Sequence, residues 1–146
     1  LEHFADAFKQ ANDATFSLEI NCSADYLINF DPDQLQQVLH NICGNGLRYA
    51  LLNNPNDAQI RVHAKQHVDG SVRLYLIDNG AGINTENQKN LFEPFFTTEH
   101  TGTGLGLYLC REICEANKAN IKHIASEHLI DITGTCFCIN FAKVSQ

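Results

Sequence analysis

The spacing of hydrophobic and polar residues changes period several times along the chain. Leu1, Phe4, Ala5 and Phe8 recur at a helical period over residues 1–14. After Thr15 the pattern switches to alternation at Phe16, Leu18 and Ile20, and residues 26–30 give a second short strand that Asp31-Pro32 stops. A long helix follows. Asp31 suits its N-cap, Pro32 the first helical position and Gln34 the third, and Asn53-Asn54-Pro55 ends it. Its core stripe runs through Leu35, Val38, Leu39, Ile42, Gly46 and Tyr49. Residues 59–67 and 71–77 read as strands joined by a hairpin at Asp69-Gly70. Thr85 could cap a short helix over 86–91, and residues 105–116 form a helix with Leu105, Leu109, Ile113 and Ala116 on its apolar side. Residues 121–126 and 135–141 are the final strands.

This is the element set of one α/β domain, and 146 residues with 44% hydrophobic content suit a single core. We read residues 1–14 as the tail of a preceding helix or a linker and residues 15–146 as the domain. The absence of Met at position 1 and throughout suggests a piece of a larger protein. A formal charge of −7 with no basic stripe argues against nucleic acid as the main partner. No apolar run approaches a membrane span. The six cysteines include no C-x-x-C pair, so we read them as small, reduced core residues.

Two features of the pattern point to chemistry. Asn41, Asn45 and Arg48 share one line along the long helix, beside its core stripe. Asparagine is a poor helix former, and a solvated face would favour Gln, Glu and Lys. Amide oxygens suit Mg²⁺ and a guanidinium suits phosphate. The second feature spans residues 78–107, with a carboxylate at a strand end, D-N-G-A-G-I, then F-E-P-F-F-T-T, then G-T-G-L-G-L opening a helix. The last cluster is neither a dinucleotide fingerprint nor a P-loop, which leaves a generic phosphate cradle or a tight loop.

Together, and in this order, the four stretches resemble the ATP-binding catalytic domain of sensor histidine kinases. They correspond to that family's N box (33–49), G1 box (78–83), F box (92–98) and G2 box (102–107). F-E-P-F-F-T-T and N-G-L-R-Y-A look most like the nitrogen-regulation and type IV pilus sensor kinases. The resemblance implies a Bergerat-type two-layer α/β sandwich, its mixed sheet backed by helices and its ATP covered by a flexible lid over roughly residues 84–101. It implies that Asp78 reads the adenine amino group, that Gly80, Gly82 and Ile83 border the base, and that Asn45 holds Mg²⁺. Asn41, Arg48 and Tyr49 would serve the metal, phosphate and ribose. Gly102, Gly104 and Gly106 would hold the phosphates as the lid closes, and Phe92, Thr97, Thr98, Thr103 and Leu105 would also contact the nucleotide. Phe92, with Phe95 and Phe96, would hinge the lid and touch the phosphoacceptor domain.

Several positions depart from the family pattern. Glu99 stands where Lys is usual, Gly46 replaces Ala, and Asn117-Lys118-Ala119 replaces a His-Gly-Gly turn. Hydrolytic relatives carry a glutamate base at the position of Asn41, and asparagine takes no proton from water, so transfer is favoured over hydrolysis. None of the seven histidines has the context of a phosphoacceptor. The resemblance therefore implies a cytoplasmic, monomeric catalytic unit that binds Mg·ATP and phosphorylates a histidine of its own phosphoacceptor and dimerisation domain, outside this chain. The full protein would be a homodimer serving a response regulator, with this domain as the cytosolic part of an inner-membrane sensor. A non-catalytic nucleotide sensor and an ATPase are the alternatives.

Overall fold

The computed structural model describes residues 1–13, 15–97, 103–125 and 134–144. In chain order the elements are α1 (Glu2–Ala11), β1 (Ser17–Cys22), α2 (Pro32–Asn53), β2 (Gln59–Gln66), β3 (Val72–Asp78), α3 (Thr85–Gln88), α4 (Gly106–Ala116), β4 (Asn120–Ile124) and β5 (Cys136–Phe141). The strands form one sheet in the order β1-β2-β3-β5-β4. β1 and β2 run parallel, which requires a crossover, and α2 supplies it. The other pairings are antiparallel. Helices pack on one face of this mixed sheet, giving the two-layer α/β sandwich expected.

Local chemistry explains the long helix. The Asp31 side chain accepts a hydrogen bond from the Gln34 N–H at 2.9 Å, and Pro32 follows at the first turn. Val38, Leu39, Ile42, Cys43, Gly46, Leu47 and Ala50 are buried on its inner side, whereas Tyr49 is 36% exposed and outside the core. α1 packs on α2 through Phe4 and Phe8, both buried, and the Phe4 ring meets the His40 ring edge-on at 5.1 Å.

Three expectations need correction. Residues 26–30 form no strand. Tyr26, Ile28 and Phe30 instead lie half-buried along the core without a sheet neighbour, with Phe30 edge-on to Phe141 at 5.7 Å. Asn84 rather than Thr85 caps α3, its side chain accepting from the Asn87 N–H at 2.9 Å, and the helix ends at Gln88. On α4 the packing side is one residue away from the predicted stripe. Cys110 and Cys114 are fully buried while Leu109 is 43% exposed, because small thiols let α4 come close to α2. The reading of the cysteines as core residues holds for five of the six, Cys22 being exposed. Burial pushes the thiols of Cys43, Cys110, Cys114 and Cys136 up to about 12, which leaves them inert as nucleophiles.

The turn after α4 retains the usual stop without its glycine. Ala119 N–H donates to the Cys114 carbonyl at 2.8 Å and Lys118 N–H to the Glu115 carbonyl at 3.0 Å, with Lys118 left-handed at φ 60. Asn117 ties this end to the start of α2, accepting from Asp31 N–H at 2.9 Å and donating to Gln34 Oε1 at 2.8 Å. A side chain at positive φ costs free energy that glycine avoids. Lys118→Gly is expected to stabilise the fold by about 0.5–1 kcal/mol in urea unfolding. A neutral or destabilising result would show that Lys118 makes a compensating contact. Among the described residues no helix is long and apolar enough to cross a membrane.

Candidate functional site

Asp78 is the last residue of β3, and it is 7% exposed at the floor of a cleft of about 560 Å³. Its Oδ1 accepts from the Gly80 N–H at 2.8 Å and the Thr135 N–H at 3.3 Å. Its own N–H donates to the Thr135 carbonyl at 3.0 Å. No hydrogen bond to Oδ2 forms among the described residues, so this oxygen is left as the acceptor for a ligand. Burial raises the carboxyl to about 6, against the pull of the Gly80 and Thr135 N–H groups. The group is charged at neutral pH and close to protonation in mild acid.

Glycines make room for this arrangement. A Cβ on Gly80 would lie 2.9 Å from Tyr49 Cβ and 3.0 Å from Asp78 Oδ1. Gly80 thus lets the turn close against α2 and does not itself line the cleft. Gly82, at φ 83, and Ile83 do line it. Gly46 borders the carboxylate from α2, where a Cβ would approach Oδ2 to 3.2 Å. The alanine usual there would crowd the oxygen left open.

From α2, Asn41, Asn45, Arg48 and Tyr49 reach the wall of the same cleft. Arg48 Nη2 donates to Asn45 Oδ1. The first turn of α4 closes on this row, since a Cβ on Gly106 would meet Asn41 Oδ1 at 3.2 Å and Asn45 Nδ2 at 3.9 Å. The row therefore faces a helix N-terminus, which favours an anion between them.

The cover is anchored by its two described ends. Phe95 N–H donates to the Gly104 carbonyl at 2.9 Å. Gly104, at φ 73, lies so close that a Cβ would come 2.3 Å from the Phe95 carbonyl carbon. Phe96, Thr97, Thr103, Gly104, Gly106 and Leu107 line the cleft. Leu105 does not; it precedes α4 and donates its N–H to Thr103 Oγ1 at 3.3 Å. Phe92 is also off the wall, packed edge-on against Phe137 at 5.9 Å. Thr98, Glu99 and Gly102 lie outside the described residues.

Asn84, Asn87, Leu91 and Phe137 of the cleft wall escaped the sequence reading, as did three residues around Asp78. Thr135 is 4% exposed, lines the cleft and holds Asp78 through its backbone. Gly134 faces Asp78 so closely that a Cβ would lie 2.0 Å from the Asp78 carbonyl oxygen. Asn79 fixes the turn, accepting from Gln59 N–H at 2.8 Å and donating to the Asp57 carbonyl at 2.8 Å. Its carbonyl accepts from Asn54 Nδ2 at 2.7 Å. The available signals were a Gly-Thr pair at the mouth of an apolar strand and a second amide directly after Asp78.

The cleft volume suits a small-molecule ligand. Comparison with known proteins agrees with that reading. Residues 30–145 match the model of the histidine kinase-, DNA gyrase B- and HSP90-like ATPase family. The sensor protein kinase PilS of Pseudomonas aeruginosa is 40% identical over 144 residues, covering 97% of this chain and 26% of that protein. The chain therefore spans about a quarter of that relative's length. The catalytic domain of histidine kinase ThkA superposes with a TM-score of 0.72 at 26% identity, covering 97% of this chain and 86% of that one. The mycobacterial sensor histidine kinase MprB shares the fold, with a TM-score of 0.76 at 19% identity over 96% of this chain and 91% of its own. The chain belongs to the family of histidine kinase-, DNA gyrase B- and HSP90-like ATPases, as the ATP-binding domain of a sensor histidine kinase.

Proposed function

We propose that this domain binds Mg·ATP and transfers the γ-phosphoryl group to a histidine on a separate phosphoacceptor domain, in a cytoplasmic two-component pathway that ends on a response regulator. The observation that carries this reading is the Asp78 carboxylate, with one oxygen held by two backbone N–H groups and the other left to accept from the adenine amino group. The Asn41, Asn45 and Arg48 row lines the same cleft and would form its phosphate end.

Neutral amide oxygens fit a hard cation, and the Asn45 oxygen already accepts from a cationic donor, Arg48. Asn45 would hold magnesium once Arg48 turns to phosphate, with Asn41 beside it. The ion would offset charge on the β- and γ-phosphates. Arg48 and the first turn of α4 would stabilise the charge of the transferring group, and Asn41 offers no general base for water. Phe95, 74% exposed and held at φ 67, is a strained aromatic at the lid base, suited to meeting the phosphoacceptor helix.

The test combines this chain, γ-labelled ATP and a separately prepared phosphoacceptor domain from a related kinase. The expected outcome is label on the acceptor and none on this chain. Label on this chain, lost when one of its histidines is replaced, would refute transfer to an external group. ATP binding without transfer would favour a nucleotide sensor. Steady phosphate release that depends on Asn45 would favour an ATPase.

A further inference from the structure

The helices cover only one face of the sheet. The register of the strands places Arg61, Lys65, Arg73 and Lys122 on the other, around Tyr75. Four of the ten Lys and Arg residues thus share one face, and among the described strand residues there Glu19 is the only acid. Its described strand residues carry four positive charges and one negative, a net of +3, so the other residues of a chain of net charge −7 carry −10. Glu19 meets His63 at 3.5 Å, and none of the four cations has a carboxylate partner among the described residues.

The arrangement is unfavourable for the isolated domain. Lys65 stands directly opposite Arg73 across β2 and β3, and like charges so placed repel. Arg73 Nε and the Oδ1 of Asn140, its opposite neighbour on β5, are both buried without a hydrogen-bond partner. Lys65 Nζ lies 5.9 Å above the Tyr75 ring. Beneath them Cys136 and Cys138 are 1% exposed, so a rigid, fully packed platform carries these groups.

We propose that this open sheet face is a docking surface for a carboxylate-rich protein segment. Charge complementarity selects the partner. Arginine forks pair with carboxylates through two hydrogen bonds. Arginine around a central tyrosine is also the composition of interface hot spots. An anionic bilayer fits less well, because the described strand residues of the face include no exposed large apolar side chain and four cations are few against a remainder of −10. Five strands about 4.8 Å apart and about six residues long give roughly 450–500 Å² of face, which suits a transient, salt-sensitive contact.

The test is titration of the chain with polyglutamate, followed by backbone amide shifts in NMR. At 50 mM salt we expect micromolar binding, with shifts confined to β2, β3, β4 and β5 and absent from the cleft. Binding should weaken about tenfold or more in 300 mM salt. Arg61→Gln/Arg73→Gln should weaken it at least tenfold and leave ATP binding unchanged, which also shows that the variant folds. No binding, or shifts located in the cleft, would overturn the proposal. So would equal binding by the variant. Phosphatidylserine vesicles that bind through these arginines while polyglutamate does not would assign the face to membrane. A salt-sensitive dimer abolished by the double substitution would assign it to a second copy of the chain. Either result replaces the acidic partner.

Discussion

Asp78→Asn is expected to lower ATP affinity on the order of 100- to 1,000-fold while narrowing or inverting the preference over GTP. The argument rests on which oxygen does what. An asparagine oxygen at the Oδ1 position keeps the bonds from Gly80 and Thr135 N–H. The amide NH₂ then occupies the Oδ2 position, and two donors face each other where the adenine amino group would arrive. A buried site built for one hydrogen-bond pattern discriminates strongly against its inverse. Calorimetric titration of both nucleotides checks this. Unchanged ATP binding, or equal loss of ATP and GTP, would remove Asp78 from the base site.

The same substitution should stabilise the protein at neutral pH. The folded-state Asp78 carboxyl is raised to about 6 from an ordinary value of 3.8. The native state therefore binds a proton more tightly than the unfolded state, and stability falls as pH rises from about 4 to about 6. Above that window the charged, desolvated carboxylate costs about 1–3 kcal/mol, which Asn does not incur. ATP binding should show the opposite trend. It requires the accepting carboxylate and should weaken about tenfold per pH unit below about 6. Opposite slopes for stability and affinity, both flattened in Asp78→Asn, mark a group whose burial serves binding at the expense of the fold.

Gly134→Ala should be the most damaging methyl addition among the described glycines. The new Cβ would lie 2.0 Å from the Asp78 carbonyl oxygen and 2.8 Å from Gly80 N, both backbone atoms at the hub of the site. Flexible side chains yield to such a clash and paired strands do not. A loss of about 3 kcal/mol or more in urea unfolding is expected, together with loss of ATP binding, because the Thr135 N–H moves off Oδ1. A variant of near wild-type stability that still binds ATP would show that β5 enters the sheet with more freedom than this packing implies.

Sequence reading was strongest where information is local. Asp31, Pro32 and Gln34 mark the start of α2 because capping involves neighbours three residues apart, and the structure forms that bond. The hairpin at Asp69-Gly70 was legible for the same reason, with Gly70 at φ 90. Reading was weakest where two distant segments share the outcome. Residues 26–30 alternate like a strand, yet Tyr26, Ile28 and Phe30 pack against the core and Phe30 meets Phe141, so burial rather than pairing fixes them. The apolar stripe drawn through Leu109 missed the helix face that α2 selects, the one carrying Cys110 and Cys114.

The site divides in the same way. By itself the sequence determined that a carboxylate ends a strand, that two asparagines and an arginine share a helix face, and that glycines punctuate the loop between. These follow from period, propensity and turn chemistry within short windows. Only the tertiary structure decided which oxygen of Asp78 stays open, that Thr135 from 57 residues along the chain helps Gly80 hold the other, and that four cations converge on the sheet face away from the helices. Those outcomes depend on strand order and register. They bring together residues whose separation along the chain carries no local signal.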